Sequence, residues 1–153
     1  FYTEFEPKRK NQFVFFIEGI PTYLIQQANR PEIDFNTITL DHINTKRRLK
    51  GKVQEYSDIS LTLYDPISPS GSQIVMEWVR LHHEAVTGRD SYADLYKKDV
   101  TYNTLDPTGA FVEEWTLKGA FISNVSFGDV AWDDDAFHEI ELTLTYDYPV
   151  MQY

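Results

Sequence analysis

The chain contains no cysteine, only seven glycines and no long run of apolar residues. Without cysteine it forms neither disulfides nor thiolate metal sites. Its longest purely apolar run, Phe13–Ile17, is far too short to span a bilayer. No basic head, long apolar stretch and small-residue cleavage site occur together as in a signal peptide. Because the sequence begins with Phe1 rather than Met, a signal removed before that residue stays open.

Motifs that mark common active sites are also missing. The sequence has no GxSxG elbow, no glycine-rich phosphate loop and no HExxH zinc pattern. Its histidines show no metal-ligand spacing, and two of them fall on a predicted helix, where one is expected against the sheet and the other in water. The four histidines are His42, His82, His83 and His138.

Carboxylates are abundant but carry little catalytic signal, because pairs are inevitable among 24 acidic residues. The run Asp133–Asp135 offers oxygen ligands for a hard cation. It lacks the spaced acceptors and glycine of an EF-hand loop, so a turn is the favoured interpretation. The sequence therefore predicts no enzyme, no cofactor and no metal site. Acid–base pairs remain available among Glu113, Glu114, Glu139 and Glu141.

Positive charge is scarce and unevenly placed. The net charge is −10 and the pI about 4.7, which is the opposite of a protein that wraps nucleic acid tightly. Residues 1–52 hold nine Lys or Arg and six Asp or Glu, whereas residues 53–153 hold five and 18. Such asymmetry is either an accident of surface composition or the mark of a subunit that meets its copies head to tail.

What the chain has instead is β-pattern. It is 42% hydrophobic and 15% aromatic, enough for one domain spanning residues 1–153 with a sizeable core. Several segments show the alternation and β-branched or aromatic enrichment of strands, with Gly119 marking a bulge or bend inside one of them. The predicted strands are 12–18, 22–28, 32–41, 56–64, 100–105, 110–118 with its continuation through 122–127, and 136–148.

One helix is predicted, at about residues 72–87. Ser70 followed by Gln73 fits a capping box, and Gly88 stands where a C-cap belongs. Apolar residues recur between them at helical spacing, including Trp78 and Val79, so one helix face is expected to pack on a sheet. Residues 89–99 are ambiguous, between a short helix and a loop.

Two segments are predicted to stand apart from this core. Residues 1–11 have the polar composition of an N-terminal arm. Residues 42–52 are basic and weakly apolar, which fits either a long exposed loop or the tip of an extended hairpin.

The central and last strands have two clearly different faces. Their alternate apolar side chains must be buried, so period-two geometry directs the polar set away from the core. That polar face lies either on an ordinary solvated sheet or along the aqueous lumen of a barrel completed by neighbouring copies.

Five blocks of the sequence form a recognisable series. The C-terminal ones are 114–125, Trp132-Asp133 and 139–148, and the central ones are 49–52 with Tyr56, and 58–65 followed by the predicted helix. They resemble the tail tube proteins of contractile-tailed bacteriophages, a superfamily that includes the type VI secretion tubes. That family ends in a Lys-Gly-hydrophobic strand, an Asn-Val turn, a Trp/Asp-containing loop and a last strand with a Tyr-Asp-Tyr-like motif, and its central strand and helix match the central blocks.

The resemblance implies an antiparallel β-sandwich or half-barrel with one flanking helix. It also implies that six copies close into a ring, in which their strands form a continuous inner β-barrel. Rings of this kind stack head to tail into the tube of a virion tail, which conducts double-stranded DNA without binding it tightly. Implied partners are the sheath outside the tube and baseplate and terminator proteins at its ends, with assembly in the cytoplasm of the bacterial host and no membrane insertion.

Two residue sets follow as hypotheses. They are stated for a tube subunit, although four other functions stay open for the chain: a tube initiator, a tube of a phage-tail-like injection particle, a monomeric ligand-binding β-barrel and an enzyme using the carboxylates. The predicted inter-subunit arm, which in the family reaches a neighbouring ring, comprises Lys46, Arg47, Arg48, Lys50 and Lys52. The predicted lumen-lining set comprises Asp58, Ser60, Thr62, Glu139, Glu141, Thr143 and Thr145.

Overall fold

The computed structural model describes residues 6–68 and 70–153, with the backbone alone at residues 54 and 55. The predicted arm at residues 1–11 therefore lies partly outside the described residues, and residues 6–11 are exposed or nearly so. The helices are α1 (Gly71–His82) and α2 (Ala93–Tyr96), with a 3-10 turn at Thr22–Leu24. The strands are β1 (Phe13–Phe16), β2 (Ile25–Ala28), β3 (Ile33–His42), β4 (Thr45–Tyr56), β5 (Ile59–Tyr64), β6 (His83–Glu84), β7 (Arg89–Asp90), β8 (Lys98–Leu105), β9 (Phe111–Ser126), β10 (Glu139–Thr145) and β11 (Tyr148–Met151).

One antiparallel sheet organises the molecule, in the order β1-β8-β9-β10-β5-β2. Its long strand β9 pairs with β8 and β11 through its first half and with β10 through its second half. The bend predicted at Gly119 lies between the halves, where φ is +67° and a Cβ would overlap the carboxylate of Asp147. The predicted strand 136–148 is interrupted at the same level, because the Asp147 N–H leaves β10 to donate to the Lys118 carbonyl.

The core fills the concave side of this sheet. Leu61 of β5 and Leu142 of β10 are register partners and are each 1% exposed. The apolar residues next to them on the same face of both strands are equally buried. Val75 and Trp78 of α1 belong to the same core cluster, with Val79 packed against it. The single chain is therefore a mainly β half-barrel with a flanking helix, as predicted, whose described strands leave it open between β1 and β2.

The helix begins where the sequence indicated but with a different cap. Ser70 occupies the N-cap position without a side-chain capping bond. Asp65 supplies the acceptor instead, taking hydrogen bonds from the Ser72 N–H at 3.2 Å and the Ser72 hydroxyl at 2.9 Å. A carboxylate at this end is also favoured by the helix dipole.

The predicted helix end at residue 87 is wrong, since α1 ends at His82. His83 is already extended and starts the short β6–β7 ladder, in which Gly88 forms the turn and donates its N–H to the Glu84 carbonyl. Val86, which fitted the helical spacing, is 93% exposed. Its periodicity was therefore fortuitous.

A tertiary contact of His82 lies where the helix ends. Its Nδ1 lies 2.8 Å from the Trp78 carbonyl and must donate to it, which leaves Nε2 to accept the Ile122 N–H of β9 at 3.1 Å. Burial lowers the pKa of His82, with the nearby Lys98 acting in the same direction against the Trp78 bond. The neutral ring thus joins the helix to the sheet. His83 is the wet member of the pair, as predicted.

The stretch 42–52 is the tip of an extended hairpin rather than a loop. β3 and β4 form a two-stranded sheet of their own, closed at its base by the Ser57 N–H bond to the Glu32 carbonyl. Within the described residues, no helix is long and apolar enough to cross a membrane.

Candidate assembly surfaces

The seven residues predicted to line a lumen all lie on one face. Antiparallel pairing sets Glu141 opposite Thr62 and Thr143 opposite Ser60, so their side chains share the side of the sheet away from the core. The Thr145 hydroxyl donates to Asp58 at 3.1 Å, which ties the last member to the first. The structure therefore brings together the polar face defined by Asp58, Ser60, Thr62, Glu139, Glu141, Thr143 and Thr145.

This polar face is wider than the sequence suggested. On β9, Asn124 pairs with Thr143 and Ser126 with Glu141, extending the face by one strand. On the other side, Asn29 accepts the Ser60 N–H at 2.6 Å and holds the end of β2 against β5. Sequence reasoning missed these residues because they lie outside the two strands with the cleanest alternation, although Asn124 and Ser126 continue the pattern of β9.

A groove runs along part of the polar face. It has a volume of about 340 Å³ and extends from the β2 end to the middle of β10. Its walls include Gln27, Asn29 and Glu141, which supply amides and a carboxylate to a wet surface. Apolar ligands are poorly matched to such walls.

The β3–β4 hairpin is the second candidate surface. Every residue of β3 is exposed, and Ile38, Leu40 and Leu49 each expose about half of their side chains. All five predicted arm residues lie in β4 and are exposed as well. Within the described residues none of them forms an ion pair, and Lys50 only caps the ring of Phe35 at 5.5 Å from its centroid. The hairpin therefore offers both apolar area and positive charge.

The loop between β9 and β10 is the third surface, and it has the opposite charge. Residues 128–138 are all exposed and contain four aspartates without Lys or Arg. Asp133–Asp135 follows a turn at residues 132–133, as predicted, and His138 stands at the end of the loop. No described group of three or more acidic or histidine residues is arranged to hold a metal ion. Trp132 is fully exposed, which is unusual for so large an apolar side chain.

A buried charge cluster fastens the N-terminal arm to the body. Glu113 of β9 is 1% exposed and receives hydrogen bonds from Lys8, from Trp115 Nε1 and, at 2.8 Å, from Arg30. Burial alone would raise the pKa of Glu113, but donors from Lys8, Trp115 and Arg30 outweigh it and lower the pKa. Glu113 is therefore held by two cations and an indole N–H, and none of these described hydrogen-bond partners is a second carboxylate.

Comparison with solved structures places this arrangement in a known class of fold. A chain in the structure of the anti-feeding prophage cap, described as a tube-terminating cap, matches with a TM-score of 0.74 and 16% identity over 96% of this chain and 91% of that one. A chain of the sheath/tube terminator of an extracellular contractile injection system, PVC, matches with a TM-score of 0.74 and 17% identity over 97% and 98%. A chain of the PVC sheath–tube complex gives 0.66 and 16% over 95% and 91%.

The protein therefore has a tail-tube-type fold, and its structural neighbours are components of contractile injection systems. No protein-family model and no curated sequence matches the chain. At identities of 16% to 17% the likeness establishes the fold, while the role of the chain is argued from its own surfaces.

Proposed function

We propose that the chain is the repeating subunit of the inner tube of a contractile tail, a structural rather than a catalytic role. Six copies form a ring, and rings stack head to tail inside a sheath, between baseplate and terminator proteins. The observation that carries this proposal is the exposed β3–β4 hairpin. It presents half-exposed Ile38, Leu40 and Leu49 and five exposed cations, which form no ion pair with the side chains that the structure describes, on a fold shared with injection-tube components.

A monomeric binding protein would use the fold differently. It needs an apolar face around an empty cavity. Here the apolar face of β5 and β10 is filled by its own core, including Leu61, Leu142 and Trp78. The opposite face is polar, which suits an aqueous channel.

The same fold also serves a second candidate function, at an end of a tube or in an injection particle that is not a virus. It is favoured by the neighbours themselves, since two are described as a tube-terminating cap and a sheath/tube terminator. In that role the chain starts or ends a tube, and it forms rings without long filaments.

Electron microscopy of the purified protein tests the assembly directly. We expect stacked rings with six subunits each, alone or on addition of a baseplate-like template. Single rings that never stack favour the tube-end role. A protein that stays monomeric at high concentration with and without the template contradicts both.

The hairpin provides the first test of how rings meet. Arg47→Glu together with Arg48→Glu is expected to impair stacking while leaving the circular dichroism spectrum unchanged, since both side chains are exposed and neither forms an ion pair with a described residue. Increasing salt should weaken the wild-type assembly, because exposed ion pairs are screened. Normal stacking with normal salt sensitivity would exclude the basic arm as a contact between subunits.

The polar face provides the test of the channel. We propose that Glu139 and Glu141 form rings of negative charge along the lumen, so that DNA phosphates are repelled and the duplex slides. Replacing both with Lys is expected to make assembled tubes retain DNA. Tubes of the double variant that neither bind DNA nor slow its passage, or a ring with both carboxylates on its outer wall, would refute the assignment.

A further inference from the structure

The β3–β4 hairpin is amphipathic, although both its faces are exposed. Register pairs place Ile38 opposite Leu49 and Leu40 opposite Arg47, so these four side chains share one face. Near the tip the other face carries Thr39 opposite Arg48 and Thr37 opposite Lys50, and nearer the base it carries Phe35, whose ring Lys50 covers. Arg47 is thus the cation at the end of an apolar stripe, whereas Arg48, one residue away, points to the opposite side.

A cleft with matching properties lies elsewhere on the molecule. It has a volume of about 530 Å³ and is formed by the β9–β10 loop against the start of β10. Val130 and Phe137, 84% and 92% exposed, contribute apolar walls. No Lys or Arg lines it, and its carboxylates are Asp129, Asp134, Glu139 and Glu141. We call this feature the acidic cleft.

We propose that the acidic cleft of one copy receives the apolar face of the β3–β4 hairpin of a second copy, with the Arg47 guanidinium beside the loop carboxylates Asp129 and Asp134. Charge complementarity favours this occupant: the apolar face of the hairpin carries Arg47, and residues 42–52 contain no acid, whereas residues 128–138 hold four acids and no Lys or Arg. The inference rests on the proposed tube function and names the two surfaces that meet.

The contact is made between copies rather than within one. A ten-residue strand extends roughly 30 Å at 3.3 Å per residue, and every residue of β3 is exposed, so the hairpin projects from its own body. Because hairpin and cleft are different surfaces, their contact is heterologous and repeats from copy to copy. The cleft includes Glu139 at one end of the polar face, which is where one ring would meet the next.

Two single charge reversals on adjacent residues test the geometry. Arg47→Glu brings like charges together in the cleft and is expected to raise the concentration needed for assembly by about tenfold or more. Arg48→Glu is the matched control, with the same change on the other face, and is expected to have a much smaller effect. Adding Asp134→Arg to Arg47→Glu should restore assembly. Equal effects of the two reversals, or no rescue, would overturn the proposal.

Disulfide trapping reports on the contact even when assembly is weak, because the chain has no cysteine of its own. We mix one protein carrying Ile43→Cys at the hairpin tip with another carrying Ala131→Cys in the cleft under mild oxidation. Mixed dimers are expected in large excess over either homodimer, and a partner carrying Ile67→Cys, at a 98% exposed position, serves as control.

The two experiments separate the inference from the function it rests on. Rings that stack while mixed dimers are no more frequent than in the Ile67→Cys control would refute the acidic cleft as the hairpin's partner and leave the tube proposal standing. Mixed dimers without rings would support the contact and refute the tube. Neither rings nor mixed dimers would refute both.

Discussion

The half-barrel and the hairpin are built from the same kind of sequence and end in opposite environments. In β5 and β10 alternate apolar side chains such as Leu61 and Leu142 are 1% exposed, whereas Leu40 and Leu49 in β3 and β4 are 49% and 53% exposed. An isolated two-stranded hairpin is only marginally stable in water. Alternation therefore identifies a strand and its apolar face, whereas what covers that face depends on another layer, which for the hairpin we propose to be a second copy.

The largest loss of unfolding free energy is expected from a substitution in the packed core. Leu142→Ala removes a buried side chain from the middle of the core and is expected to cost about 3 kcal/mol of unfolding free energy, measured by urea denaturation. Thr143→Ala, the next residue on the polar face, is the control and should cost less than about 0.5 kcal/mol. Similar losses for both would mean that β10 does not have one buried and one open face.

A smaller loss of stability is expected from removing the buried charge of Glu113. Glu113→Gln leaves Lys8 and Arg30 without a counterion, but both are half exposed and rehydrate, so we expect a loss of about 2 kcal/mol. Trypsin should also cut faster near Lys8, which the carboxylate no longer fastens. Glu141→Gln, on the exposed face, is the control.

The direction of the Glu113 pKa shift determines whether stability rises or falls with pH. Because folding lowers the pKa of Glu113, its contribution is fully present above the ordinary glutamate pKa of about 4.3 and is lost as pH falls toward the folded value. The wild type should therefore lose stability on acidification that the Gln variant has already lost. Parallel acid curves for the two proteins would contradict the role of the cluster.

His82, at the junction between helix and sheet, is expected to make stability depend on pH. Folding lowers its pKa, so its contribution is fully present above the ordinary histidine pKa of about 6.5 and is lost as pH falls below it. Protonation of Nε2 removes the acceptor of the Ile122 N–H, and we expect about 1 kcal/mol to be lost by this route. Unfolding measured between pH 7.5 and about 5 checks it. His82→Gln should flatten that slope and His83→Gln should keep it.

These contacts also show where sequence reasoning reached its limit. The alternation of β10 predicted both its buried and its polar face, since period two is a local property. The contact at the end of α1 joins His82 to Ile122, 40 residues away in sequence, and no local pattern indicates it. Glu113 looked like one acidic residue among many, because its partners Lys8 and Arg30 lie 105 and 83 residues away in sequence.

The candidate surfaces divide in the same way. The polar face could be predicted as a set, and whether it lines a channel stays a prediction. The segment 42–52 was left between a loop and the tip of a hairpin because Lys46, Arg47 and Arg48 are three consecutive cations without apolar alternation. The apolar partner face becomes visible only through the register of β4 with β3.

The smallest effect on the unfolding free energy is expected in the hairpin. Substitutions there test directly whether its apolar face is covered only on assembly. Leu40→Ser with Leu49→Ser removes apolar area that already faces water, so unfolding of the monomer should change by less than about 0.5 kcal/mol per site. Assembly, in contrast, should fail, because apolar area at the centre of an interface dominates association. The control protein carries Thr37→Ser and Thr39→Ser, on the opposite face of β3, and its rings should stack normally.

Each outcome of this last experiment identifies what covers the hairpin. A loss of monomer stability comparable to that of Leu142→Ala would mean that the hairpin folds back and packs on its own body. Unchanged stability with unchanged stacking would mean that no copy covers its apolar face. Unchanged stability with lost stacking is the result expected of a strand pair whose core is supplied by its neighbour, since burial of that area then occurs only on association.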